Sequence, residues 1–174
     1  MDKGLWCGRS SIDNPSELLK VHENYINAGV DVITANTYAS TPISMRKYGY
    51  EDIILECNQK SVQIAKKAAE NSKVSVAGSV STYGSFHKLG IKNLIPSFDE
   101  HIKILVDAGV DLIILEAMSS QEDIIEAVLE CSNKINLPTW LSISCVFDEN
   151  NKVMLGYNDN MSATEPSVYG DFEL

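Results

Sequence analysis

The side chains of this sequence that could bind a small polar ligand are one carboxylate and four uncharged residues. They are Glu116, Asn36, Thr37, Tyr38 and Ser79, and each lies at or just after the end of an apolar run. An unpaired carboxylate at the rim of a packed interior is costly, so a cation is the natural partner of Glu116. Because no Lys or Arg follows another apolar run, we expect this cation to be the amino group of a ligand.

These residues also have structural interpretations that the sequence leaves open. Glu116 could cap the next helix or accept a hydrogen bond from a neighbouring backbone amide. Asn36 and Thr37 could complete a loop. Tyr38 and Tyr83 could wall a pocket or only pack against their neighbours.

The histidines and thiols do not form a recognisable catalytic set. His22 and His101 fall on or beside apolar stripes of predicted helices, and His87 falls in a loop. Hydrolase and metalloprotease motifs are absent, and no lysine ends a strand. Cys145 is the one thiol at a predicted strand end, but it has no second ligand nearby in sequence. We therefore predict no catalytic residue and no metal ligand.

The cysteines favour reduced thiols over structural zinc. Cys7, Cys57, Cys131 and Cys145 include no Cys-x-x-Cys pair, which structural zinc sites usually contain.

Acidic residues outnumber basic ones by 24 to 14, giving a net charge of −10. This negative charge repels nucleic acid and anionic membranes, which are therefore not expected as partners.

Composition indicates one globular domain. The chain has 174 residues, 44% of them hydrophobic and 22% charged, which is enough to bury a core. There is no long apolar run and no apolar segment typical of a secretory signal. The predicted compartment is the cytoplasm.

Four apolar runs are predicted as strands, at residues 30–35, 74–77, 111–115 and 139–143, with helical patterns between them. Helix starts are predicted at Asn14, Ser97 and Ser119, each followed three residues later by Glu. Gly29 and Gly109 are expected to end helices in the left-handed conformation. Gly78 beside Ser79 would permit close approach of a ligand to the backbone.

Helices that alternate with apolar strands predict a parallel α/β sheet, either doubly wound or a barrel. The glycine-rich phosphate-binding motifs of common doubly wound folds are absent, which favours the barrel. We predict a partial (β/α)8 TIM-type barrel with about four to five parallel strands and flanking helices. Residues 1–156 form this incomplete domain, and 157–174 form a polar acidic tail.

Several segments together resemble the homocysteine S-methyltransferase family in order and spacing. They are Leu-Trp at 5–6, the run ending Ala-Gly-Val-Asp-Val-Ile-Thr-Ala-Asn-Thr-Tyr at 28–38, Val-Ala-Gly-Ser-Val-Ser-Thr-Tyr-Gly at 76–84, Ala-Gly-Val-Asp-Leu-Ile-Ile-Leu-Glu at 108–116 and Pro-Thr-Trp-Leu-Ser at 138–142. The resemblance extends from about residue 5 to residue 156. It implies a (β/α)8 barrel and transfer of a methyl group to the sulfur of homocysteine, which gives methionine.

The resemblance also implies a zinc ion, held by three cysteine thiolates, that activates the homocysteine sulfur. It makes the carboxylate at Glu116 the partner of the substrate ammonium group. However, the family's Asp-Gly-Gly strand before Leu-Trp and its Gly-Gly-Cys-Cys segment are absent, and no cysteine falls at a matching position. Ala117 replaces the family's usual threonine, and Ser81 and Thr82 replace Gly-Pro.

We therefore expect homocysteine and a methyl donor as ligands, bound by a chain that lacks the zinc site and is inactive alone. The alternative is a non-catalytic remnant or binding module of the same fold that associates with another chain. Half a barrel would expose two sheet edges, which favours self-association or a complementing chain.

Overall fold

The computed structural model describes residues 5–83, 91–118, 122–143, 145–147, 151 and 153–155. The predicted tail at 157–174, His87 and the predicted cap Ser119 lie outside these residues. No described helix combines the length and the hydrophobicity that a membrane-spanning segment needs.

Six α-helices and six strands make up the described chain. The helices are α1 (Ser10–Asp13), α2 (Pro15–Asn27), α3 (Pro42–Lys47), α4 (Ile54–Ala69), α5 (Ile91–Asp107) and α6 (Glu122–Ser132), with a 3₁₀ turn at Glu51–Ile53. The strands are β1 (Val32–Thr34), β2 (Ser75–Ser81), β3 (Leu112–Met118), β4 (Thr139–Ile143), β5 (Cys145–Phe147) and β6 (Val153–Leu155).

Strands β1 to β4 form one parallel sheet in sequential order, and β5 and β6 form a separate antiparallel pair. The predicted parallel α/β architecture is confirmed. Sequential order with helical crossovers places the carboxyl ends of all four strands at the same edge of the sheet. That edge is where the candidate ligand residues lie.

One face of the sheet packs against the helices. A Cβ atom built on Gly78 would lie 3.1 Å from a methyl group of Leu105, 3.2 Å from Val110 and 3.3 Å from Ile113. Gly78 is therefore required for close packing of α5 on β2, not for approach of a ligand. We call the face turned away from the helices the inner face.

Strands β2 and β3 are longer than predicted. They end at Ser81 and Met118, so Ser79 and Glu116 lie within strands and not after them. Cys145 begins β5 of the antiparallel pair and does not end the fourth parallel strand. The apolar pattern could not show this, because Gly78 and Ser79 interrupt the apolar run of β2 and Glu116 interrupts that of β3.

The predicted helix ends were partly correct. Gly29 and Gly109 both have φ of +88°, the predicted left-handed end. Asn14 makes no side-chain cap, since it lies between α1 and α2 and its backbone N–H donates to Ser10. Ser97 lies inside α5, which starts at Ile91 because Leu94, only 1% exposed, packs in the core.

Candidate functional site

A serine and a carboxylate meet on the inner face of the sheet. Ser79 Oγ donates a hydrogen bond to Glu116 Oε2 at 2.5 Å. In the β2–β3 pair, Ser81 is directly opposite Glu116, and residues two apart on a strand share a face. Gly78 faces the helices, so Ser79 and Glu116 project from the inner face.

The Glu116 carboxylate is half-buried and keeps hydrogen-bonding capacity. No ion pair among the described residues includes Glu116, and no described residue donates to its Oε1 atom. A carboxylate accepts up to about four hydrogen bonds. The carboxylate neither caps a helix nor binds a neighbouring backbone amide in the described chain, so it can receive a cation.

The backbone immediately after this carboxylate is strained. Ala117 has φ of +50°, and the β3–β4 register shifts between Leu115 and Met118. A non-glycine residue in the left-handed region costs about 1–3 kcal/mol. Such an irregularity redirects neighbouring side chains, and here it flanks Glu116.

Thr37 positions Ser79 and is itself inaccessible. Its hydroxyl donates to the carbonyl oxygen of Ser79 at 2.8 Å and accepts from the Ser79 N–H at 3.0 Å. Thr37 is fully buried. Its side chain therefore extends the pairing of β1 with β2 beyond the end of β1.

Asn36 connects the end of β1 to the N-terminal turn. Its Nδ2 atom donates to the Cys7 carbonyl oxygen at 2.7 Å, and the Cys7 thiol donates to Asn36 Oδ1 at 3.7 Å. The adjacent Trp6 is thereby held beside the carboxyl ends of the strands. Asn36 acts on the site mainly by this attachment.

Three aromatic rings, which we call the aromatic cluster, lie together at this edge: Trp6, Tyr38 and Tyr83. The ring centroids are 6.1 Å apart for Trp6 and Tyr38, 4.7 Å for Trp6 and Tyr83, and 5.8 Å for Tyr38 and Tyr83. Ser81 Oγ donates to the Tyr38 carbonyl oxygen. Because Ser81 also pairs with Glu116, the cluster lies in the same part of the sheet edge as the carboxylate.

Trp6 is 65% exposed and has φ of +47°. Sequence reasoning did not include Trp6 among the site residues and left Tyr83 open. An isolated tryptophan in a short segment before the first helix was the available signal. Burial raises the pKa of the Tyr83 hydroxyl, so this ring stays neutral at physiological pH.

Two of the described thiols, those of Cys57 and Cys131, do not suit a thiolate metal site. Cys57 donates to the Gly8 carbonyl oxygen at 3.3 Å, and burial raises its pKa. Burial, with Asp99 nearby, raises the pKa of Cys131 to about 12. Both thiols are therefore held protonated, whereas zinc binds thiolates. The described residues also contain no group of three His, Cys, Asp or Glu that could hold a metal ion.

The two described histidines belong to the packed interior. Burial lowers the pKa of His22 and lowers that of His101 to about 3. The Nε2 atom of His101 lies 3.1 Å from Asn58 Oδ1, which also accepts from Ser40. Their neutral, buried state is typical of structural histidines.

A family model described as homocysteine S-methyltransferase matches residues 1–165. Homocysteine S-methyltransferase 3 from Zea mays is 27% identical over 169 residues, covering 80% of this chain and 49% of the relative. Betaine-homocysteine S-methyltransferase from Drosophila melanogaster is 28% identical over 170 residues, covering 82% of this chain and 51% of the relative.

The fold is similar to crystal structures of the homocysteine methyltransferase MmuM from Escherichia coli. The oxidized form aligns with a TM-score of 0.72 at 24% identity, covering 84% of this chain and 57% of that one. The metallated form gives a TM-score of 0.68 at 27% identity, with 82% and 56% covered. The predicted partial barrel agrees with this likeness. The chain spans about half the length of the curated relatives it matches.

Proposed function

The chain belongs to the homocysteine S-methyltransferase family, and from this membership we propose that it binds homocysteine, with Glu116 holding the substrate ammonium group. The observation that carries the proposal is the Glu116 carboxylate, which accepts one hydrogen bond from Ser79 and has no cationic partner among the described residues. Hydrogen bonds from an ammonium group to a carboxylate are about twice as strong as neutral ones. A bound amino acid would supply the missing positive charge.

The other predicted residues support this carboxylate in different ways. Thr37 fixes the Ser79 backbone, and Asn36 holds the N-terminal turn that carries Trp6. Tyr38 contributes a ring to the aromatic cluster. Glu116 therefore contacts the ligand, and Ser79 contacts Glu116. The remaining residues act as positioning residues or pocket walls.

We propose the aromatic cluster as the place of a cationic methyl donor. Aromatic ring faces attract quaternary ammonium and related methylated cations. Trp6 presents a largely exposed ring there, packed against Tyr38 and Tyr83. The Drosophila relative is named for betaine, whose trimethylammonium group carries such a positive charge. Replacement of Trp6 by Leu would then weaken donor binding and leave homocysteine binding unchanged.

Methyl transfer requires activation of the homocysteine thiol, because a thiol is a weak nucleophile at neutral pH. In the family a zinc ion supplies this activation, and the described residues contain no group of three His, Cys, Asp or Glu that could hold a metal ion. We therefore propose substrate binding for the described part of the chain. Ligands for zinc would have to come from outside the described residues.

A second candidate is a non-catalytic binding module of the same fold. The lack of three convergent metal ligands among the described residues favours it. Methionine formation by the purified chain, with homocysteine, a methyl donor and zinc, would support an enzyme. Homocysteine binding without turnover under the same conditions would support the module.

Isothermal titration with homocysteine tests the binding proposal. We expect Glu116→Ala and Glu116→Gln to weaken binding at least about 30-fold, since loss of one partner of a partly buried charge pair costs about 2 kcal/mol or more. Glu130→Gln, at an exposed position on α6, is the matched control and should bind normally. Equal affinities for all four proteins would refute the assignment of Glu116.

A further inference from the structure

Both outer strands of the parallel sheet have an unpaired edge among the described residues. Asp31 and Ala35 bond to β2, so the backbone groups of Val32 and Thr34, which alternate with them, point away from the sheet. Neither β1 nor β4 contains a proline or a charged residue, which are the usual devices that block edge pairing. Both edges can therefore accept another strand.

Strand β4 has the apolar character of an internal strand. Trp140 is 51% exposed and Leu141 is 42% exposed. Leu141 pairs with Leu115 of the helix-packed core, whereas Trp140 pairs with Ile114 on the inner face. Strands of parallel sheets are apolar on both faces when both are covered. The exposed side chains of β4 indicate that a further strand and helix cover this edge.

The opposite end of the sheet carries matching apolar surface on a helix. Helix α2 packs against β1 and α4, and its residues Val21 and Tyr25 are 48% and 59% exposed. Residues four apart lie on one side of a helix. A helix beside β1 therefore offers an apolar stripe, and in the described part of the chain no helix follows β4.

We propose that two copies of this chain associate through these edges, with β4 of each copy pairing in parallel with β1 of the other. A TIM-type barrel closes with eight parallel strands, and each copy contributes four in sequential order. Pairing β4 with the partner's β1 continues both the strand order and the strand direction. The two junctions are then identical and related by a two-fold axis along the barrel.

This arrangement covers the exposed apolar residues of both edges. The partner's α2 would lie over Leu141 on the helix side of the junction, and Trp140 would point into the barrel interior. A second copy is the occupant because each edge supplies what the other lacks: β1 brings its own helix, and β4 brings the uncovered apolar residues. The inference rests on the sheet and its edges, and it is independent of homocysteine binding.

Sedimentation equilibrium of the 174-residue chain at tens of micromolar tests the proposal. We expect twice the monomer mass of 19.2 kDa. Leu141→Lys places a charge in the junction, and Thr34→Pro removes an outward N–H without touching the β1–β2 bonds. Both variants should sediment as monomers. Leu55→Lys, at an exposed leucine of α4 that belongs to neither edge strand nor to α2, should remain a dimer.

A monomer at all concentrations would overturn the proposal. A series of increasing masses would also overturn it, because open association through the same edges would not close a barrel. Equal loss of the dimer in Leu141→Lys and Leu55→Lys would show that β4 does not form the interface. Circular dichroism identifies any unfolded variant. If Thr34→Pro fails to fold, the comparison of Leu141→Lys with the control Leu55→Lys still tests the proposed interface. Homocysteine titration is a separate measurement, so the failure of dimer formation can be distinguished from the failure of homocysteine binding.

Discussion

Ser79 donates its hydroxyl hydrogen to Glu116 across the β2–β3 pair, at 2.5 Å between the two oxygens. The serine satisfies one carboxylate oxygen and fixes its orientation on the inner face. Thr37 fixes the serine in turn through both backbone groups of Ser79. The carboxylate therefore stands at the end of a short hydrogen-bond chain that begins at Thr37, just after β1.

Replacement of Ser79 by Ala should weaken homocysteine binding about 3- to 10-fold, since a typical hydrogen bond contributes about 0.5–1.5 kcal/mol. Titration calorimetry measures the change. In a Glu116→Gln background the same substitution should have little effect, because Ser79 acts through the carboxylate. Ser75→Ala on the same strand is the control. Additive losses in the double variant would show that Ser79 acts independently of Glu116.

The strained backbone at Ala117 predicts an unusual order of stabilities. Glycine has no penalty at φ of +50°, so Ala117→Gly should be as stable as the wild type or up to about 1 kcal/mol more stable. Ala117→Val should be less stable by about 1 kcal/mol or more, because β-branched residues tolerate this region poorly. Urea unfolding measures both. At Ala28, which has φ of −77°, glycine should instead be less stable than alanine.

The buried His101 predicts a loss of stability in acid. Its pKa is about 3 in the folded chain and about 6.5 when unfolded. Between these values the unfolded chain binds the extra proton, so stability falls as pH drops below 6.5. At pH 5 the loss is about 2 kcal/mol relative to neutral pH.

The variant His101→Gln isolates this contribution, because glutamine does not titrate and can still donate to Asn58. Urea unfolding at pH 7.5 and 5.0 should show a smaller acid loss for this variant than for the wild type. His22 titrates in the same direction in both proteins and cancels in the comparison. The same loss in both proteins would contradict the assignment to His101.

Addition of a methyl group at Gly78 should destabilise the fold by about 1–3 kcal/mol, the usual cost of overpacking. The new Cβ would lie within 3.1–3.3 Å of Leu105, Val110 and Ile113. Ile113→Val removes one of these contacts and should recover part of the loss in the Gly78→Ala background. Thermal and urea unfolding of the four proteins give this comparison. No recovery would indicate that Leu105 or Val110 carries the clash.

The sequence alone determined the elements that depend on local patterns. Apolar runs located all four parallel strands, and their alternation with helical stripes predicted the parallel sheet. The glycines at 29 and 109 predicted left-handed helix ends because few other residues adopt that conformation easily. Family membership followed from segments whose order and spacing are preserved.

Only the tertiary structure decided which polar residues bond to other parts of the chain and which remain able to bind a ligand. Thr37 and Asn36 resemble ligand-binding residues in sequence, yet their side chains bond to Ser79 and to the turn that carries Trp6. Gly78 serves helix packing, and Trp6 joins two tyrosines from distant parts of the chain. These roles depend on which strands become neighbours. A linear pattern records the spacing of residues along the chain but not the hydrogen bonds and contacts that form between strands.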